Sequence, residues 1–168
     1  LSVNLSSAGC TSQKVIDHLH FVFERVPQLL KHLCIEITEK SIVDNVEEAK
    51  KNMQKLGEMG IQFALDDFGT GYSSLSYLHM FNFDRLKIDR SFISSHDMSK
   101  EESPILASIV NLAQTLGIKT TAEGIETKEQ YQKLKHMNCI SAQGYHMSTP
   151  IGADQFFDHL AQSKAYFW

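Results

Sequence analysis

Gln62-Phe-Ala-Leu-Asp-Asp67, running on through Phe68-Gly-Thr-Gly-Tyr-Ser-Ser74, is the stretch that decides the fold. A short β-prone run ends on two adjacent carboxylates and enters a glycine-containing turn that leads toward a helix. The same order recurs on either side. Upstream stand Leu1-Ser-Val-Asn4 and Cys34-Ile-Glu-Ile-Thr-Glu39; downstream come Arg85-Leu-Lys-Ile-Asp89, Lys119-Thr-Thr-Ala-Glu123 and Ile140-Ser-Ala-Gln143. Six strands are therefore predicted, and the segments between them read as helices. Asp44 with Glu47 forms a capping box ahead of Val46, Ala49, Met53, Leu56 and Met59, a single apolar face that Gly60 stops. Ser103-Pro104 opens a helix that ends at Gly117, Thr127 with Gln130 opens another, and a last helix spans Asp154 to Gln162. Between Lys14 and Lys31, Val15, Leu19, Val22 and Val26 fit a core-facing helix that Pro27 ends or bends.

A repeated βα unit calls for parallel strands, helical cover and right-handed crossovers. Two architectures accept it, an open doubly wound sheet and a closed (β/α)8 barrel. An open sheet gathers its ligand residues at one switch point, usually with a glycine-rich turn after the first strand. No G-x-G-x-x-G or G-x-x-x-x-G-K-S/T occurs here. Instead, nearly every predicted strand ends on a residue suited to metal or phosphate chemistry: Asn4, Glu36, Asp66 with Asp67, Lys87 with Asp89, Glu123 and Gln143. Convergence from many strand ends on one face is the barrel pattern. The fold class expected is α/β, a TIM-like barrel of which about six βα units are present. A barrel has eight strands and about 250 residues, and this chain of 168 begins at Leu1. The expectation is one domain over residues 1–168, with its first one or two βα units lying upstream.

Composition narrows the function. A net charge of −4, with no lysine or arginine run, leaves no electrostatic footprint for DNA. The longest apolar-rich stretch, Ile105 to Ile118, is interrupted by polar residues and is too short to span a bilayer. Cys10, Cys34 and Cys139 are far apart and form no C-x-x-C pair, so they read as buried thiols in a reducing cytosol. An anionic ligand would need metal ions to offset the carboxylates. Glu36, Asp66, Asp67, Asp89 and Glu123 on one face would repel one another unless divalent cations or protons neutralise them. An all-oxygen set with Asn4 suits Mg²⁺ or Mn²⁺ rather than zinc. Two such ions about 4 Å apart can clamp a phosphodiester and activate a water. Gly69 and Gly71 allow close approach of the 67–74 loop, while Thr70, Ser73 and Ser74 can bond within it or cap the next helix. Phe68 reads equally well as a packing plug.

The segments Val3-Asn-Leu-Ser6, Glu36-Ile-Thr-Glu39, Asp66-Asp-Phe-Gly-Thr-Gly-Tyr-Ser-Ser-Leu75, Leu86-Lys-Ile-Asp-Arg-Ser-Phe92, Ala122-Glu-Gly-Ile-Glu-Thr127 and Gln143-Gly-Tyr145 with Pro150 occur in order. This series resembles the EAL-domain family, which hydrolyses cyclic di-GMP. The resemblance implies two divalent cations, Mg²⁺ or Mn²⁺, the first on Asn4, Glu36 and Asp66 and the second on Asp66, Asp67 and Glu123. It implies catalytic roles for Lys87, Glu123 and Asp67, with Lys87 remaining protonated beside the water and the phosphate. Asp89 is expected to support the metal–water network, Glu126 to stand behind it, and Gln143 to contact substrate. Glu39 is expected to anchor the loop containing Gly69, Thr70 and Gly71. In-line water attack on one phosphodiester would open the ring to linear pGpG.

Family members commonly dimerise beside this loop, which makes a homodimer the expected assembly and the Phe83 to Phe92 neighbourhood its candidate interface. They are often outputs of longer proteins, so upstream sensor or cyclase-like domains, and cytoplasmic location with a parent anchored on the cytoplasmic side of a membrane, follow from the resemblance as well. The family's naming Glu-Ala-Leu segment, with a further metal-ligating glutamate and a substrate-contacting arginine, does not occur in these residues. As given, the chain is expected to bind metal weakly and to turn over slowly or not at all. A non-catalytic module that senses cyclic di-GMP or docks a protein remains the alternative.

Overall fold

A computed structural model describes residues 1–43, 45–69, 75–94 and 103–162. Its strands are β1 (Ser2–Asn4), β2 (Cys34–Thr38), β3 (Gln62–Phe68), β4 (Arg85–Ile88), β5 (Lys119–Ala122) and β6 (Ser141–Ala142). Among the described residues they form one sheet in the order β1-β2-β3-β4-β5-β6, with every neighbouring pair parallel. That order has no reversal and thus no switch point. Each crossover returns the chain to the adjacent strand, so all the C-terminal strand ends lie along one rim, as in a partial (β/α) barrel. β1 and β6 each have one strand neighbour among the described residues.

The intervening helices are α1 (Ser7–Thr11), α2 (Gln13–Arg25), α3 (Glu39–Val43), α4 (Val46–Glu58), α5 (Leu75–Met80), α6 (Ser91–Ser94), α7 (Pro104–Thr115), α8 (Lys128–His136) and α9 (Ala153–Gln162). The two caps read at Ser103 and Thr127 are present. The Ser103 hydroxyl accepts from Leu106 N–H, and Thr127 with Gln130 forms a reciprocal capping box. The box expected at Asp44 falls outside the described residues, and the side chain that caps α4 is Asn45, accepting from Glu48 N–H at 3.2 Å. The helix expected from Lys14 to Lys31 divides at Pro27. α2 stops at Arg25, and Pro27–His32 is a 3-10 turn because proline supplies no N–H to continue the α ladder.

Strand alternation sorts the sheet into two unlike faces. Ile35, Ile37, Phe63, Leu65, Leu86 and Ile88 point toward the helices and join one apolar core with Ile42, Leu56, Leu106, Val110, Ile125 and Leu134. Phe68, with 5% of its surface exposed, belongs to that core, so the packing-plug reading holds. The residues between them, Cys34, Glu36, Gln62, Ala64, Arg85, Lys87, Thr121, Ser141 and Gln143, line an open cavity of about 410 Å³ on the concave side. This polar inner face is the surface that a site at the strand ends continues.

Gly144 shows how tightly the rim is built. A Cβ there would run into the backbone N and O of Ile125, groups already bonded to Gln143 O at 3.1 Å and by His146 N–H at 2.9 Å. Backbone cannot yield as a flexible side chain does. Gly144→Ala is expected to cost about 3 kcal/mol, read as a lower urea midpoint in equilibrium unfolding; a midpoint equal to wild type would contradict this packing.

Burial also fixes the thiols. Cys10, Cys34 and Cys139 are free and buried, and loss of hydration pushes all three above the ordinary thiol range, Cys10 to about 11. At pH 8 they stay protonated, Cys10 and Cys139 within the apolar core and Cys34 only 7% exposed on the cavity wall. The expected result is negligible reaction with an aromatic disulfide reagent in the native protein and three equivalents in urea. Fast native labelling would show that a thiol is open to solvent.

Candidate active site

The C-terminal rim begins with Glu36 near the end of β2, Asp66 near the end of β3, Lys87 on β4 and Glu123 just after β5. Parallel pairing sets Thr38 beside Asp66 and Lys87 beside Thr121, which keeps these side chains on the concave face. They meet at a single point. Lys87 Nζ donates to Glu36 Oε2 at 2.6 Å and to Asp66 Oδ2 at 3.0 Å, and it lies 2.8 Å from Glu123 Oε1. All four are largely buried, with Lys87 only 7% exposed. Burial alone would push the Lys87 ammonium down, but Glu123, Glu36 and Asp66 outweigh it and hold the group well above its ordinary range. Lys87 is therefore a fixed cation, unsuited to act as a base near neutral pH. Glu123 is raised, first by burial and further by the charges of Asp66 and Glu36, with Lys87 opposing.

Asp67 stands beside this group in a different state. Its φ is +55°, a left-handed conformation, and its N–H donates to Asp66 Oδ1 at 2.9 Å. Aspartate is one of the few non-glycine residues that adopt this geometry readily. The turn follows an irregularity in the β3–β4 register between Leu65 and Phe68. Loss of hydration, then the charges of Asp66 and Asp89, push the Asp67 carboxyl up even though the residue keeps solvent access. Gly69, at φ +91°, completes the bend. A Cβ there would come within 2.6 Å of the Phe92 ring, so the loop stem rests on α6. Thr70 and Gly71, together with the rest of the loop to residue 74, lie outside the described residues.

Asn4 ends β1 in register with Glu36 and is exposed. Gln143 lines the cavity, its N–H bonded to Ala122 O at 2.8 Å. Glu39 opens α3 and is 7% exposed, and its Oε2 has no hydrogen-bond partner among the described residues. Two further expected site residues lie just ahead of helices. Asp89 Oδ1 accepts from Ser91 N–H at 2.9 Å at the start of α6, and hydrogen bonds from Ser91 hold its carboxyl below the usual range. Glu126 is exposed, and its N–H donates to Gln130 Oε1 at 2.8 Å in the approach to α8. Phe83 is buried in the core and packs on Phe81, while Phe92 lies under Gly69, so both rings are engaged within the chain. Sequence reading missed Arg85, Thr121 and Ser141 on the concave wall; counting back by two from Lys87, Glu123 and Gln143 reaches all three.

The donor chemistry fits divalent metal. Three carboxylates from three strands aim oxygens at one cation-sized position, and their charge exceeds that of the lysine between them. Among the described residues no three Asp, Glu, His or Cys side chains form a ready-made metal cluster, and the Lys87 ammonium stands between the three carboxylates. No helix among the described residues is long and apolar enough to cross a membrane.

Comparison with known proteins places this geometry in a family. The chain is 34% identical to the cyclic di-GMP phosphodiesterase NbdA of Pseudomonas aeruginosa over 151 residues, 90% of this chain and 19% of NbdA. The EAL domain of Mycobacterium smegmatis DcpA superposes with a TM-score of 0.89 at 32% identity, covering 98% of this chain and 74% of that one. Klebsiella pneumoniae BlrP1, solved with manganese and cyclic di-GMP, superposes with a TM-score of 0.76 at 29% identity, over 86% of this chain and 37% of BlrP1. The chain spans about a fifth to a third of the length of the curated relatives it matches. The family model for the EAL domain matches residues 1–150, the span that carries all six strands and the converging carboxylates, and the chain belongs to the EAL domain family.

Proposed function

We propose that this domain hydrolyses one phosphodiester of cyclic di-GMP to linear pGpG, with two divalent cations, Mg²⁺ or Mn²⁺, held by Asn4, Glu36, Asp66, Asp67 and Glu123. The observation that carries the reading is the convergence of Glu36, Asp66 and Glu123 on one buried cationic position at the strand-end rim. It is supported by the phosphodiesterase name of NbdA and by the manganese and cyclic di-GMP in BlrP1.

When bound, the cations would acidify the attacking water and offset charge on the phosphate. The chain's own residues do the remaining work. Lys87 stays protonated and offers a fixed positive charge to the phosphate oxygens. Asp67 and Glu123, carboxylates on the rim, would accept hydrogen bonds from the attacking water and orient it. Gln143, on the cavity wall, would hydrogen-bond substrate. Glu39 would anchor the 69–74 loop, Asp89 would support the metal–water network and Glu126 would stand behind it.

The test is chromatography of cyclic di-GMP incubated with the chain, and with the full-length gene product, in Mn²⁺ and in chelator. The expected product is pGpG, formed with Mn²⁺ and absent with chelator. If the full-length protein binds cyclic di-GMP with Mn²⁺ present and forms no pGpG, the domain is a receptor and the enzymatic reading fails.

A further inference from the structure

Lys87 makes contacts that its proposed role toward phosphate does not require. Its three ammonium protons match three carboxylates contributed by β2, β3 and the end of β5, at 2.6, 3.0 and 2.8 Å. No donor is left over for a substrate. Glu36 Oε2, Asp66 Oδ2 and Glu123 Oε1 are oxygens of the side chains read above as metal ligands, and an ammonium and a divalent cation cannot hold one position together. Three buried carboxylates without a cation would oppose folding, so the metal-free protein needs this lysine in place.

We propose that Lys87 is the resident counter-ion of the metal-free site: its ammonium competes with the divalent cation for Glu36, Asp66 and Glu123, and metal loading displaces it toward the substrate side. The inference rests on the metal reading given above. Lys87 then has two positions, one that keeps the empty domain folded and one that presents its charge to phosphate. Occupancy by metal and availability of the lysine are coupled. Uptake of a cation frees the charge that catalysis uses, and loss of the cation stores that charge among the carboxylates.

The experiment is Mn²⁺ titration of metal-stripped wild type and Lys87→Met, followed by calorimetry, with thermal melting of each protein with and without Mn²⁺. Removing the competitor is expected to tighten Mn²⁺ binding at least about tenfold, to lower the metal-free melting temperature, and to enlarge the rise that Mn²⁺ produces. If wild type binds Mn²⁺ and Lys87→Met binds it no more tightly, the competition is wrong while the metal reading stands. If wild type takes up no Mn²⁺, both fall. Should Lys87→Met fail to fold without metal, the wild-type lysine can be followed directly. Its ¹⁵N ammonium resonance, protected in the metal-free protein, is expected to shift and lose protection on saturation with Mg²⁺, and an unchanged resonance at saturation overturns the proposal.

Discussion

Asp66→Asn is expected to lower kcat/KM for cyclic di-GMP by roughly a thousandfold, well beyond the ten- to hundredfold typical of losing an outer-sphere partner. The carboxylate uses both oxygens: Oδ2 faces Lys87 at 3.0 Å, and Oδ1 accepts the Asp67 N–H at 2.9 Å that fixes the left-handed turn. Asparagine keeps the volume and one acceptor but loses the charge. The metal-free fold should tolerate it, because three carboxylates face one lysine and removing one charge relieves repulsion. Steady-state turnover with Mn²⁺, measured beside circular-dichroism melting, separates the two effects. Activity near wild type would remove Asp66 from the machinery; a collapsed melting temperature would give the loss a structural origin.

Leu86→Ala carries the largest stability effect expected. Leu86 has no exposed surface, lies at the centre of the sheet in register with Leu65 on β3 and Thr120 on β5, and faces the helices from the strand that carries Lys87. Deleting its branched end leaves a cavity between sheet and helical layer that parallel strands held on both sides cannot close. A loss of about 2–5 kcal/mol is expected, seen in urea unfolding as a lower midpoint at unchanged slope. The same displacement of β4 would move Lys87 against its carboxylates, so activity should fall further than the folded fraction alone accounts for. A loss well under 1 kcal/mol would contradict the close packing of this layer.

Much of this was legible in the residues because the signals were local. A β-prone run that stops on a charged or amide residue marks a strand end, and the six runs found this way are the six strands, in sequential parallel order. Ser103 and Thr127 were readable as caps because a cap needs only its own next turn. Near Asp44 the sequence offers two adjacent cap-forming residues, and Asn45 takes the role at α4. The short helices α1, α3 and α6 were not foreseen. Each is six residues or fewer, too short for periodicity to stand out, and is held by its neighbours.

The site was legible in its membership and less so in its geometry. Chain order identifies Glu36, Asp66, Lys87 and Glu123 as strand-end groups, yet their meeting at one ammonium depends on register across β2 to β5 and on the reach of the lysine. The left-handed Asp67 follows from the β3 irregularity, which no composition signals. Asp89 illustrates the converse. Its Oδ1 accepts the Ser91 N–H two residues on, a helix-start contact that a strand-end carboxylate does not announce in sequence.

The most direct test of the account is hydrolysis of cyclic di-GMP in ¹⁸O-labelled water with Mn²⁺ present, followed by mass spectrometry of the product. Water attack on phosphorus at the rim formed by Glu36, Asp66, Lys87 and Glu123 predicts pGpG with one ¹⁸O on its new terminal phosphate and none on the released hydroxyl. Label on the hydroxyl oxygen, or unlabelled product, would mean that the bond is broken by other chemistry and that these carboxylates do not serve a two-cation hydrolysis.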